Sequence, residues 1–160
     1  MTKRLEGQTI FVTGAGAGIG LGILKALVSE GAVAYGLDFM PEAVATIREA
    51  GGRPITVDVT NAVAFVQAIN DVRGQSGRLD GLVNNAGQTL TQPFLEADIA
   101  LWDRLWQVNQ RPVLVGAQAA ARIMVADGRK GAIVNVASVH AAASDLSYEG
   151  YAGTKGPCWR

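Results

Sequence analysis

The sequence predicts an α/β domain built on a doubly wound parallel sheet, with helices covering both of its faces. Three observations predict it. Short apolar runs alternate with amphipathic helical stretches along the whole chain. Those runs are nearly continuous in apolar residues, the pattern of strands buried on both faces. The first of them, Thr9-Ile10-Phe11-Val12, leads into the turn Thr13–Gly20 (T-G-A-G-A-G-I-G), behind which Ile19, Ile23, Leu24 and Leu27 recur at helical spacing.

Each element follows from local residues. Strand one is placed at Gln8–Gly14, and helix one at Gly18–Glu30, stopped by Gly31. Strand two covers Val33–Asp38. Pro41 suits the first turn of a helix running to Ala50, closed by Gly51-Gly52. Strand three is placed at Pro54–Val59. Thr60 or Asn61 then caps a helix marked by Val63, Phe65, Val66, Ile69 and Val72. Strand four is Gly81–Asn84, followed by a polar loop, Gln88–Gln92. A long helix is expected over Ala97–Ala126, kinked at Pro112, whose ring crowds the Val108 carbonyl. Strand five is Ala132–Val136, and a last helix begins near Tyr148. Right-handed crossovers between these strands give a Rossmann sheet of order 3-2-1-4-5.

Bulk properties narrow the function. The chain has 160 residues, enough for one domain over residues 1–160 with a real core. Its 14 basic and 14 acidic side chains balance, so no basic stripe points to nucleic acid. Cys158 is the single cysteine, and no Cys/His cluster suggests a metal. The N-terminus lacks the apolar core of a signal peptide, and no uncharged run approaches membrane-spanning length. A soluble cytoplasmic protein is the expectation.

The chemistry gathers at the strands' carboxyl ends. Glycines allow the Thr13–Gly20 turn to bend tightly against a ligand, and the helix behind it offers N–H groups to a phosphate. Asp38 ends strand two, 18 residues after Gly20, where a carboxylate can hydrogen-bond ribose hydroxyls and would repel a 2′-phosphate. Neither Ala17 nor Phe39 offers the basic partner that NADP would want. NAD is the expected cofactor.

Several motifs now stand in order: Thr13-Gly14-x-x-x-Gly18-Ile19-Gly20, Asp58-Val59, Asn84-Asn85-Ala86-Gly87, Asn109, Ser138 and Tyr151-x-x-x-Lys155. Together they resemble the short-chain dehydrogenase/reductase family over about Leu5 to Gly156. The resemblance implies hydride transfer between NAD(H) and an alcohol or carbonyl substrate. Free tyrosine ionises near pH 10, too high for an easy proton shuttle, and a lysine four residues on along a helix favours the phenolate. Tyr151 is therefore expected to exchange the substrate's proton. By resemblance, Lys155 also holds the nicotinamide ribose, Ser138 orients the substrate oxygen, and Asn109 supports a water in a proton relay. The Asn84–Gly87 loop, with Asn85, Ala86 and Gly87, would line the cofactor site and Asp58 would meet the adenine. Tyr148 is expected to line the pocket. His140, two residues after Ser138, receives no role. Trp102 and Trp106 read as helix packing or partner-helix surface, and the resemblance implies a homo-oligomer whose dimer interface is built by the long helix and the Tyr151/Lys155 helix.

Relatives in that family continue with further strands and helices, so the expectation is a chain truncated after the Tyr-x-x-x-Lys helix, with strand five at an exposed edge. The tail Gly156-Pro157-Cys158-Trp159-Arg160 fits a single-base deletion. AAG GGG GCC GTG CTG GCG encodes Lys-Gly-Ala-Val-Leu-Ala, and loss of one G gives Lys-Gly-Pro-Cys-Trp-Arg. Sequencing across the Lys155 codon tests that origin; an in-frame Pro157 codon contradicts it. The alternative function is a catalytically impaired domain that binds only nucleotide or a partner subunit.

Overall fold

The computed structural model describes residues 3–156, so Pro157, Cys158 and the rest of the tail lie outside the described residues. Strands β1 (Thr9–Thr13), β2 (Val33–Asp38), β3 (Arg53–Thr56), β4 (Gly81–Asn84) and β5 (Ala132–Asn135) form one sheet of order β3-β2-β1-β4-β5, as expected. All four pairings are parallel. Helices α1 (Gly18–Ser29), α2 (Ala43–Glu49), α3 (Ala62–Ser76), α4 (Ile99–Asn109), α5 (Arg111–Ala126) and α6 (Glu149–Lys155) connect or follow the strands.

Two-sided burial holds for the central strands. In β1, Phe11 joins a core with Tyr35, Phe65, Ile69, Leu82 and Met124, while Ile10 and Val12 face a second core with Leu24, Ala34, Ile47 and Val83. Phe11 stacks on Phe65 with ring centroids 6.3 Å apart. Burying each such large apolar side chain contributes about 1.5–3 kcal/mol. The outer strands β3 and β5 are only partly covered, and Val134 is 52% exposed. On α3, Phe65, Ile69 and Val72 enter the core, whereas Val63 in the first turn points away from it, 82% exposed.

The expected single kinked helix over Ala97–Ala126 is two helices. The clash between a proline ring and the carbonyl four residues back is relieved by a break at Gln110 (φ −116°, ψ −50°) rather than a bend. Pro112 then falls in the first turn of α5, where its missing N–H leaves nothing unpaired. The start also shifts: Asp98 caps α4 by accepting the Ala100 amide at 3.0 Å, and Phe94–Glu96 forms a 3₁₀ turn ahead of it. Strand three stops at Thr56, not Val59. Asp58 turns the chain there, its carboxylate accepting the Thr60 amide and its carbonyl the Asn61 amide.

The register places Thr13 beside Leu37, Asp38 beside Thr56, and Asn84 beside Asn135, so the polar strand ends align along one rim. Between β1 and β4 the winding direction reverses, which opens a crevice at that rim. Helix α6 is brought there by close packing on α4. A side chain on Gly150 would meet Trp102 Nε1 at 3.0 Å and Leu105 at 3.1 Å, so glycine permits the approach. No helix among the described residues is long and apolar enough to cross a membrane.

Candidate active site

The glycine turn is locked onto the segment after β4. The Thr13 hydroxyl accepts the amides of Asn85 and Ala86, each at 3.0 Å, and donates to the Val83 carbonyl. In return the Asn85 side-chain amide donates to the carbonyls of Thr13 (3.0 Å) and Gly14 (3.1 Å). Gly14 has φ +64°, and a Cβ there would sit 2.9 Å from Ala86 Cα. At Gly20 an added Cβ would collide with the Gly14 carbonyl oxygen. Glycine is required at both positions, one for its dihedral and one for lack of room.

Helix α1 starts at this lock. Its N-cap is Ala17, which supplies no side-chain hydrogen bond, and its first turn carries no acid. By contrast α3 and α4 are capped by Asn61 and Asp98. The head of α1 is thus left without a side-chain anion, the arrangement that favours an external one.

In front of it opens a cleft of about 850 Å³, which takes in Gly14, Gly18, Ile19, Gly20, Asp38, Asp58, Val59, Asn85, Ala86 and Gly87. Every one of these was singled out in the sequence. Thr13 lies beneath the cleft as its buried fastener. Asp38 is aimed by two amides, Gly16 N–H on one carboxylate oxygen (3.0 Å) and Met40 N–H on the other (3.1 Å). The cleft also includes Arg104, Gln107 and Val108, which sequence reasoning missed. They share one face of α4 at three- and four-residue spacing, a signal hidden by the single long helix expected there.

None of the four predicted catalytic residues, Asn109, Ser138, Tyr151 and Lys155, lines that cleft, but Asn109 and Lys155 lie beside Gly87 at its edge. Lys155 is 5% exposed, donates from Nζ to the Val136 carbonyl at 3.1 Å, and lies 5.9 Å from the Tyr151 ring centre. A Cβ on Gly87 would come within 3.2 Å of Asn109 Oδ1 and 3.5 Å of Lys155 Nζ, so the Asn85–Gly87 loop and α6 touch here. Asn109 is fully buried. Its Oδ1 accepts the Gln88 amide at 2.7 Å, and its Nδ2 donates to the Gln88 carbonyl (2.8 Å) and to Thr154 Oγ1 (3.1 Å).

Ser138 caps a 3₁₀ turn, Val139–Ala141, and its Oγ accepts the His140 amide at 3.3 Å. The His140 ring stacks on Tyr148 at 4.5 Å and meets Tyr151 edge-on at 5.7 Å. His140 Nδ1 lies 3.0 Å from Ser144 Oγ. His140 therefore connects Ser138 to Tyr151, a link that sequence reasoning did not assign. Its place beside Ser138, as the chain's one histidine, was the available signal. Among the described residues no cluster of metal-ligating side chains is present.

The chain as a whole is similar to known proteins. Residues 8–158 match the family model described as short chain dehydrogenase. A cyclopentanol dehydrogenase of Comamonas testosteroni is 35% identical over 159 residues, covering 96% of this chain and 63% of that protein. The L-xylulose reductase of Homo sapiens is 38% identical over 154 residues, covering 95% of this chain and 62% of the relative. The crystal structure of a short chain dehydrogenase from Mycobacterium smegmatis aligns with a TM-score of 0.93 at 30% identity, covering 98% of this chain and 68% of that one. The chain spans somewhat less than two thirds of the length of these curated relatives. With the ordered motifs, the sheet and the family match in agreement, the chain belongs to the short-chain dehydrogenase family.

Proposed function

We propose that the protein is an NAD-dependent oxidoreductase acting on a hydroxyl/carbonyl pair, with Tyr151 as general acid/base. The observation that carries this reading is the convergence at Gly87. There the locked glycine cradle, Asn109 and the buried Lys155 of the Tyr151 helix meet.

The residues present fit a dinucleotide. Gly14 and Gly20 let the turn close onto the Asn85–Ala86 segment where a Cβ would clash, the head of α1 lacks a side-chain anion, and Asp38 is held at the end of β2. In this reading Gly14, Gly18, Ile19 and Gly20 receive the pyrophosphate, and Asp38 takes the ribose hydroxyls. Asp58 and Val59 flank the adenine, and Asn85, Ala86 and Gly87 line the remainder. The carboxylate of Asp38 opposes a 2′-phosphate, which favours NAD over NADP. When bound, the nicotinamide supplies the hydride acceptor or donor.

The chain's own groups manage the proton and the pose. Tyr151 takes the hydroxyl proton of the alcohol at its phenolic oxygen as hydride leaves the adjacent carbon, and returns a proton in the reverse direction. Lys155 puts a buried positive charge beside that ring, which stabilises negative charge on the oxygen. It also holds the nicotinamide ribose. Ser138 orients the substrate oxygen, its Oγ already aligned by the His140 amide. Asn109 supports the proton-relay water from a position fixed by Gln88. NAD preference favours the oxidation direction. A homo-oligomer in the cytoplasm completes the proposal, supported by the exposed apolar side chains Ile99, Trp106 and Leu114 on α4 and α5.

The test is titration of the protein with NAD and NADP, followed by turnover with a panel of secondary alcohols. Tighter binding of NAD and oxidation that depends on Tyr151 agree with the proposal. Equal binding of both dinucleotides contradicts the Asp38 assignment.

A further inference from the structure

Helix α6 has seven residues, too few to hold a shape by itself in water. The position of Tyr151 must therefore come from what α6 is tied to. One tie is Lys155 to the Val136 carbonyl, and a second is the contact of Gly150 with Trp102 and Leu105. The third runs through a residue with no part in the proposed chemistry.

Thr154 is 3% exposed, and its hydroxyl is used in both directions. It donates to the Tyr151 carbonyl at 2.7 Å and accepts Asn109 Nδ2 at 3.1 Å. Asn109 in turn clasps both backbone groups of Gln88, which lines the cleft. We propose that Thr154 is a positioning residue: through Asn109 its hydroxyl fixes α6 to the Gln88 segment and so sets where Tyr151 presents its phenol. The inference rests on the oxidoreductase reading only in its kinetic consequence. The mechanical link is independent of it. A purely space-filling threonine would need its methyl group and not its hydroxyl, whereas here the hydroxyl joins two elements.

Thr154→Val keeps the shape and removes the hydroxyl, while Thr154→Ser keeps the hydroxyl and removes the methyl. Three quantities are read in the full chain: kcat, cofactor KM with NAD, and amide hydrogen exchange across residues 149–155. Loss of one buried hydrogen-bonded link predicts that Thr154→Val lowers kcat roughly tenfold, with cofactor KM changed less than about twofold. Exchange in α6 accelerates in the same variant. Thr154→Ser keeps kcat within roughly twofold of the parent and retains slow exchange, because the hydroxyl remains. If Thr154→Val does not fold, Thr154→Ala is read in the same way.

A valine variant with parental kcat and exchange overturns the proposal. So does a serine variant as impaired as the valine one, since that outcome assigns the effect to the methyl. Tyr151→Phe runs alongside as the reference. If it turns over like the parent, or if the parent does not turn over, the acid/base reading fails and α6 exchange alone decides the role of Thr154.

Discussion

The Thr13 hydroxyl accepts the Asn85 amide at 3.0 Å, and the Asn85 side chain returns a hydrogen bond to the Thr13 carbonyl, also at 3.0 Å. This reciprocal pair joins the carboxyl ends of β1 and β4 at the point where the sheet reverses its winding. Each side chain satisfies backbone groups that the parallel ladder leaves unpaired beyond its last register position. Thr13→Val would orphan the Asn85 and Ala86 amides in a nearly isosteric setting. Destabilisation of about 1–3 kcal/mol in denaturant unfolding is expected, along with weaker dinucleotide binding. Thr13→Ser should stay close to the parent in both.

Gly20→Ala tests the cradle itself. The new methyl would collide with the Gly14 carbonyl oxygen and lie 2.5 Å from Asn85 Nδ2, neither of which can yield without opening the lock. NAD affinity should fall at least tenfold, about 1.4 kcal/mol or more. Gly22→Ala, at a position with open space, should leave titration curves unchanged.

Asp38→Ala removes the carboxylate that opposes a 2′-phosphate. The ratio of NAD to NADP affinity should drop about tenfold or more, through weaker NAD binding and relief of repulsion toward NADP. Competitive titration of the two dinucleotides reads the ratio directly. An unchanged ratio would remove Asp38 from the specificity argument.

At the opposite end of the sheet, Asp80 predicts an acid-side loss of stability. Burial alone pushes its carboxyl up, but hydrogen bonds from Arg78 and from the Thr9 amide, with the charges of Arg78 and Arg129, outweigh it. The net direction is down from the ordinary carboxylate value. Its contribution to stability is therefore complete above the unfolded pKa of about 3.9 and is lost as pH falls through the lower folded value. Asp80→Asn should be less stable than the parent at neutral pH. The gap should close only below about pH 4 in unfolding experiments across pH.

Much of this architecture is legible in the sequence. β2 and β4 fall on their expected residues, and the strand order follows from handedness and winding rules alone. Asp38, Asp58 and Asn85–Gly87 gather in one cleft because the motif residues sit at strand ends, and strand ends align in a parallel sheet. What escaped were consequences of three-dimensional detail. A proline in a helical pattern signals a disturbance, but whether the helix bends or breaks depends on the dihedrals one residue can adopt: Gln110 keeps its N–H on the Trp106 carbonyl yet turns to φ −116°, which breaks the helix. The place of His140 between Tyr148 and Tyr151 is made by the 3₁₀ turn after β5, a local event with no periodicity to read. The hydroxyl of Thr154 is likewise ordinary in sequence, and its link to Asn109 spans 45 positions.

Tyr151 is proposed to carry the proton in a hydride transfer to NAD. The most direct test is the rate of NAD reduction with secondary alcohols, measured for the parent chain and for Tyr151→Phe at matched NAD occupancy. Oxidation by the parent and a loss of at least about a hundredfold in the phenylalanine variant, with dinucleotide binding retained, are expected. Equal rates in the two proteins, or NAD binding with no oxidation of any alcohol by the parent, would contradict the proposal.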